Sequence, residues 1–283
     1  MSNLRRNTWT AVPVLTVFAL TACGGGGGEK ASDNPPAQTE APAAAAPAAV
    51  ADAATLNVSV AFSGTAPAAK AVDMSEEKVC ADKHAGGAKS EEVVVNDGKL
   101  QNVFVYVKEG LTGAAPAPSG EVVIDQDGCE YKPHVSGVQV GQNLVFKNSD
   151  GILHNVKSVP TANRGFNISQ PTAGNSAPKT FATKEVMVPV ECNVHGWMKS
   201  YVGVLDHPYF AVSGNDGAAK IGNLPPGTYT IEAWHEKYGT QTQSVTVGPN
   251  ETKDITFTFS AKAANKVPLG KPLIVHPASH PSL

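Results

Sequence analysis

A cysteine, a histidine and a methionine fall within seven residues of one another in Cys192-Asn193-Val194-His195-Gly196-Trp197-Met198. They offer a thiolate, an imidazole and a thioether, and a Cys-x-x-His-x-x-Met loop at a strand end can bend all three toward one point. Such a donor set suits copper, which takes two histidines and a cysteine in a trigonal plane with a weak, long axial methionine. The plane requires a second histidine. His154 qualifies, because residues 146–156 read as a strand, a turn, and a histidine entering the next strand. Singly, each residue has a plainer use: Cys192 as a small buried hydrophobe, the histidines as hydrogen-bonded core residues, Met198 as packing. Four donors in this order favour the metal.

Donors of this kind need a rigid scaffold. Segments 121–125, 135–140, 143–148, 155–159, 178–182, 186–192 and 201–205 read as short strands separated by turn signals, the pattern of a Greek-key β-sandwich. The two histidine-bearing loops then meet at one end of it. Residues 121–206 carry Val-x-x-Gly-Gln-x-Leu-x-Phe-x-Asn at 138–148, then His154-Asn155-Val156, then the cysteine loop. These motifs resemble the cupredoxins, the small blue-copper electron carriers, and the short loop spacing is similar to that of amicyanins. The resemblance implies that His154, Cys192, His195 and Met198 are copper ligands and that Asn155 ties its strand to the cysteine loop. It also implies that electrons pass through an exposed edge of His195. Gly196 departs from the family, standing where amicyanins have proline.

The other three cysteines have separate readings. Arg5 and Arg6, the apolar run 11–20 and Leu20-Thr21-Ala22-Cys23 form a secretory signal too short to span a bilayer. Its end resembles a bacterial lipobox, which implies cleavage before Cys23, lipidation of that residue and a membrane anchor. Gly24 in place of aspartate favours the outer membrane of a periplasmic lipoprotein. The alternative is ordinary secretion with a free Cys23. Cys80 and Cys129 remain, an even number in an exported protein, and a disulfide is the default. Two free thiols, or a second metal site with His84 and His134, are the alternatives; neither spacing has the tight Cys-x-x-Cys knuckle of zinc sites.

The rest of the chain divides by composition. Residues 1–22 are the signal, and 23–54, with five consecutive glycines and a Pro/Ala mixture, are a tether expected to lack a core. Residues 55–119 hold an alternating segment and a hairpin turning at Asp97-Gly98, and are expected to add strands to the copper sandwich of 120–206. Residues 207–260 form a second, small β-sandwich. There Leu224-Pro225-Pro226-Gly227-Thr228-Tyr229-Thr230-Ile231-Glu232-Ala233 resembles the carboxypeptidase regulatory-like (transthyretin-like) modules, which carry no catalytic centre. At this size it is expected to dock on its neighbour. Residues 261–283 are a Lys-, Pro- and Ala-rich tail.

The expected class is thus all-β. A net charge of −3 without a basic block recommends no nucleic-acid partner. His235-Glu236 begins a zinc-protease motif, but Gly239 stands where its second histidine belongs, so no enzyme is read there. The leading expectation is a lipid-anchored copper protein serving protein redox partners. The alternative is a cell-envelope binding or structural lipoprotein in which copper is stored or stabilises the fold.

Overall fold

A strand that is apolar on both faces must be covered on both sides. Phe104–Glu109 is such a strand: Val105 and Val107 enter one core with Leu56, Val58 and Ile231, while Phe104 and Tyr106 meet Val135 and Leu205 on the other side. It marks the middle of a stack of four sheets. The computed structural model describes residues 50–112, 115 and 117–261. The signal, Cys23, most of the tether and the tail beyond 261 lie outside the described residues.

The first two sheets of the stack hold the metal-ligand candidates. One runs, in spatial order, Gly174–Asn175, Leu144–Asn148, Val122–Gln126, Tyr131–Lys132. The other runs Asn167–Gln170, His154–Ser158, Glu185–Glu191, Lys199–Leu205, Val135–Gln139. Each includes one parallel pair, Val122–Gln126 with Leu144–Asn148 and Val135–Gln139 with Lys199–Leu205. Ile124, Phe146, Val156, Val190 and Val204 fill the space between them. The expected strand at 178–182 is reduced to a single bridge, Lys179 to Leu144.

The other two sheets differ from the sequence expectation. The strands of segment 55–119 do not extend the sandwich of Cys192; they complete the C-terminal module. Ala54–Ser63 pairs antiparallel with Ala218–Leu224 and parallel with Thr252–Ser260 along its full length. Phe104–Glu109 inserts between Phe210–Val212 and Gly227–His235, and Gly239–Val247 closes that sheet. The physical reason is core size. Residues 207–260 alone could not cover both faces of Gly227–His235, and Leu56, Val58, Val60 and Val105 supply the missing apolar layer. The hairpin at Asp97-Gly98 is present, with both residues at positive φ (48° and 73°), but it joins only Val95–Asn96 to Lys99–Leu100. Asn102, at φ 62°, then turns the chain toward the opposite sheet.

Two glycines set the contact between the sandwiches. Gly137 and Gly203 face each other across a parallel pair. A β-carbon on Gly203 would lie 2.4 Å from the Phe104 ring, and one on Gly137 would lie 2.3 Å from Phe210. Their absence lets two aromatic rings, 5.5 Å apart and stacked, sit on the backbone of the sandwich of Cys192. Tyr106 Oη donates to the buried Glu232 carboxylate beside them at 2.5 Å.

The remainder of segment 55–119 forms a strap. Ala71–Val72 pairs with Ala88–Lys89, closing a loop that carries the helix Lys78–Lys83, with Glu77 as its N-cap. Cys80 and Cys129 are joined by a disulfide, which removes the possibility of a second site with His84 and His134. His84 Nε2 donates to Gly128 O, and His134 Nε2 meets Glu236 of the outer sandwich at 2.5 Å.

Candidate metal centre

The loop after Glu185–Glu191 closes on itself before the chain returns as Lys199–Leu205. Cys192 N–H donates to Met198 O (3.2 Å), Met198 N–H to His195 O (2.9 Å), and His195 N–H to Cys192 Sγ (3.4 Å). These bonds fold the seven residues so that Cys192, His195 and Met198 are all buried at the sandwich end. His154 reaches the same place from the start of the neighbouring strand.

The ligand atoms converge. His154 Nδ1 lies 3.0 Å from His195 Nδ1, Cys192 Sγ lies 3.9 Å from His195 Nδ1, and all three atoms are within 4.8 Å of one another. Three donors each bonded to one ion at about 2.0–2.3 Å stand at separations of this order. The donor set therefore fits a metal, and its softness fits copper. Met198 is buried in the same apolar cluster as Cys192.

Hydrogen bonds around the cluster fix the imidazoles. Asp150, four residues before His154, accepts from His154 Nε2 at 2.8 Å and so turns Nδ1 inward. A carboxylate behind a ligating histidine fixes its tautomer and ring orientation. The same carboxylate, with no exposed side-chain surface, accepts from Gly128 N–H, Cys129 N–H and Lys83 Nζ. Burial alone would raise the Asp150 pKa; His154, Lys83 and the two N–H groups outweigh it and hold it well below the carboxylate range. Asn155 accepts from Asn193 N–H at 3.3 Å, so its side chain spans from the His154 strand to the cysteine loop.

The groups of the cluster shift one another's titration. Burial pushes His154 down, but Asp150 and Cys192 raise its pKa to about 8. Burial pushes Cys192 up, and hydrogen bonds from His154 and from backbone N–H groups pull it below the usual thiol value. His195 is lowered by burial and by the neighbouring His154 charge. Thiolate and unprotonated imidazole are the forms that bind metal.

One expectation changes. His195 is only 3 % exposed, so its edge is not at the surface. The strap lies against this end: Met74 and Cys80 share a buried cluster with Cys192 and Met198, and the Glu77 carboxylate bears on the His195 imidazole. Trp197 packs on the His195 ring at 5.2 Å between centroids. Sequence reading missed Asp150, Lys83 and the strap. Asp150 sits in an Asn-Ser-Asp-Gly run that reads as an ordinary turn, and Lys83 has no local signal at all.

The carboxypeptidase regulatory-like domain family matches residues 202–260. No curated protein matches the chain. Among solved structures, the copper-containing nitrite reductase of Thermus scotoductus is similar over 35% of this chain and 25% of its own, at 19% identity and a TM-score of 0.28. A copper(I) mutant of amicyanin is similar over 35% of this chain and 97% of its own, at 20% identity and a TM-score of 0.27. A purple cupredoxin from Nitrosopumilus maritimus is similar over 30% and 99%, at 21% identity and a TM-score of 0.25. The chain spans about a quarter of the nitrite reductase's length.

Proposed function

We propose that this chain is a lipid-anchored periplasmic type 1 copper protein that carries single electrons between protein redox partners and catalyses no reaction of its own. The observation that carries the reading is the convergence of His154 Nδ1, His195 Nδ1 and Cys192 Sγ, with Met198 buried beside them. Bound copper supplies reversible one-electron exchange. The protein's part is to hold the donors in one geometry for both oxidation states, through Asp150 on His154, Asn155 on the cysteine loop and the packed sheets beneath. The copper-loaded protein should show an intense visible band that ascorbate bleaches. A colourless, redox-inert protein overturns the reading.

The anchor and the location rest on the sequence around Cys23. The Cys23→Ala variant should lose lipid labelling and leave the membrane fraction. A variant that stays acylated and membrane-bound removes this part of the proposal.

One observation favours a second reading, a cell-envelope lipoprotein that stores copper or is stabilised by it. The burial of His195 behind the strap closes the edge that a docked partner would use. Copper that colours the protein and raises its melting temperature, yet exchanges no electron with any soluble oxidant, would select that reading.

A further inference from the structure

The strap raises a question of access, since an electron carrier with both histidines buried needs another group at its surface. His154 is fully buried and His195 nearly so. Outside the ligand set, among the described residues, one ring contacts His195, and it belongs to Trp197. The indole is half-buried, and its Nε1–H donates to Cys129 O at 3.0 Å, which fixes the ring against the disulfide-bonded turn. Trp197 also lines a cavity of about 350 Å³ together with Met74, Met198 and Tyr201, at the seam between the strap and the sandwich of Cys192.

The charges around this cavity do not select one sign of partner. Lys70 and Lys237 pair with Glu92, and His134 stands between Glu91 and Glu236. Two exposed apolar residues adjoin the ligand candidates in sequence, Leu153 before His154 and Val194 before His195, and both offer aliphatic side chains with no π-system to couple to an imidazole. Electronic coupling decays steeply through saturated groups and empty space and less through packed aromatic rings. We propose that Trp197, not His195, is the surface group through which the centre exchanges electrons with outer-sphere reactants. The inference rests on the electron-carrier reading above.

The test uses the full chain loaded with copper, reduced, and mixed with ferricyanide, which takes one electron from each centre and becomes ferrocyanide. The Trp197→Leu variant should keep the visible band and the reduction potential and lose at least tenfold in oxidation rate. Trp197→Phe, which retains an aromatic ring, should recover most of the rate. Tris(1,10-phenanthroline)cobalt(III), a stronger oxidant of opposite charge that becomes the cobalt(II) complex, should show the same pattern. A second readout needs no turnover: adding copper to the metal-free wild type should quench tryptophan emission, and Trp197→Phe should remove most of that quench while Trp234→Phe leaves it. A coloured Trp197→Leu protein that reacts as fast as wild type overturns the inference, as does a Val194→Asp variant that slows the reaction when Trp197→Leu does not. Should Trp197→Leu fail to fold, a quench that survives in Trp197→Phe overturns it instead. A wild type that never becomes coloured overturns the electron-carrier reading, which separates the two failures.

Discussion

In the sandwich of Cys192, His154 and His195 are buried with their Nδ1 atoms facing each other and a thiol beside them. In the outer sandwich, His235 is as deeply buried, yet its Nδ1 accepts from the backbone N–H groups of Lys237 and Tyr238 in its own turn. Both regions grow from the same period-two alternation and both close their cores with aliphatic residues. What separates them is where the free lone pairs go. A histidine whose acceptor nitrogen is taken by its own turn is structural, and burial lowers its pKa to about 4. A histidine held from behind by Asp150 presents its other nitrogen to a ligand.

The sharpest test of this contrast exchanges one donor in each region. Cys192→Ser should erase the visible band of the copper-loaded protein. His235→Ala should keep the band while lowering stability by about 2–4 kcal/mol, the range for emptying a buried site. Spectra and denaturant melts of both variants decide the matter, and a band lost in His235→Ala would dissolve the distinction.

The contact between the regions comes next. Phe104→Ala should cost about 3–5 kcal/mol, because its ring fills the groove over Gly137 and Gly203. The colour should survive, since no ligand is held by that ring. Two separate unfolding transitions in this variant would show the sandwiches coming apart as independent units.

The pH dependence of stability should also differ between histidines. His235 has a folded pKa of about 4, below its unfolded value near 6.5, so the unfolded chain binds more protons between these values. Stability present above pH 6.5 is therefore lost as pH falls toward 4, by up to about 3 kcal/mol, and a His235→Gln variant should show a flatter profile over that interval.

Within the sandwich of Cys192, Asp150→Asn should weaken copper binding about 10–100-fold, measured by competition with a chelator, because the carboxylate that orients His154 is lost. The smallest effect belongs to the pair joining the two regions. Burial would lower the His134 pKa, but Glu236 and Glu91 outweigh it and leave it raised. Its contribution, about 1 kcal/mol, is complete below pH 6.5 and disappears as pH rises through the folded pKa, opposite in sign to His235. Melts of Glu236→Gln on either side of neutrality should show that the variant differs from wild type on the acidic side alone.

The chain itself determined the local chemistry. Donor types and spacing at Cys192, His195 and Met198 are covalent facts of one short loop, and period-two alternation marks most strands because burial of one face repeats every second residue. Asp97-Gly98 likewise marks its hairpin, since a tight turn at positive φ admits few residue types. Only the tertiary structure decided which sheet each strand joins. Ala54–Ser63 alternates as well as any strand here, and nothing in that pattern says that its full-length partner is Thr252–Ser260, almost two hundred residues away. The strap was equally hidden: Lys83 reaches Asp150, and Met74 and Cys80 join the cluster of Cys192, through contacts that no local periodicity encodes. Exposure of His195 depends on what the rest of the chain lays over it. That is a property of packing, whereas its capacity to bind a metal follows from its own ring and its neighbours in the loop.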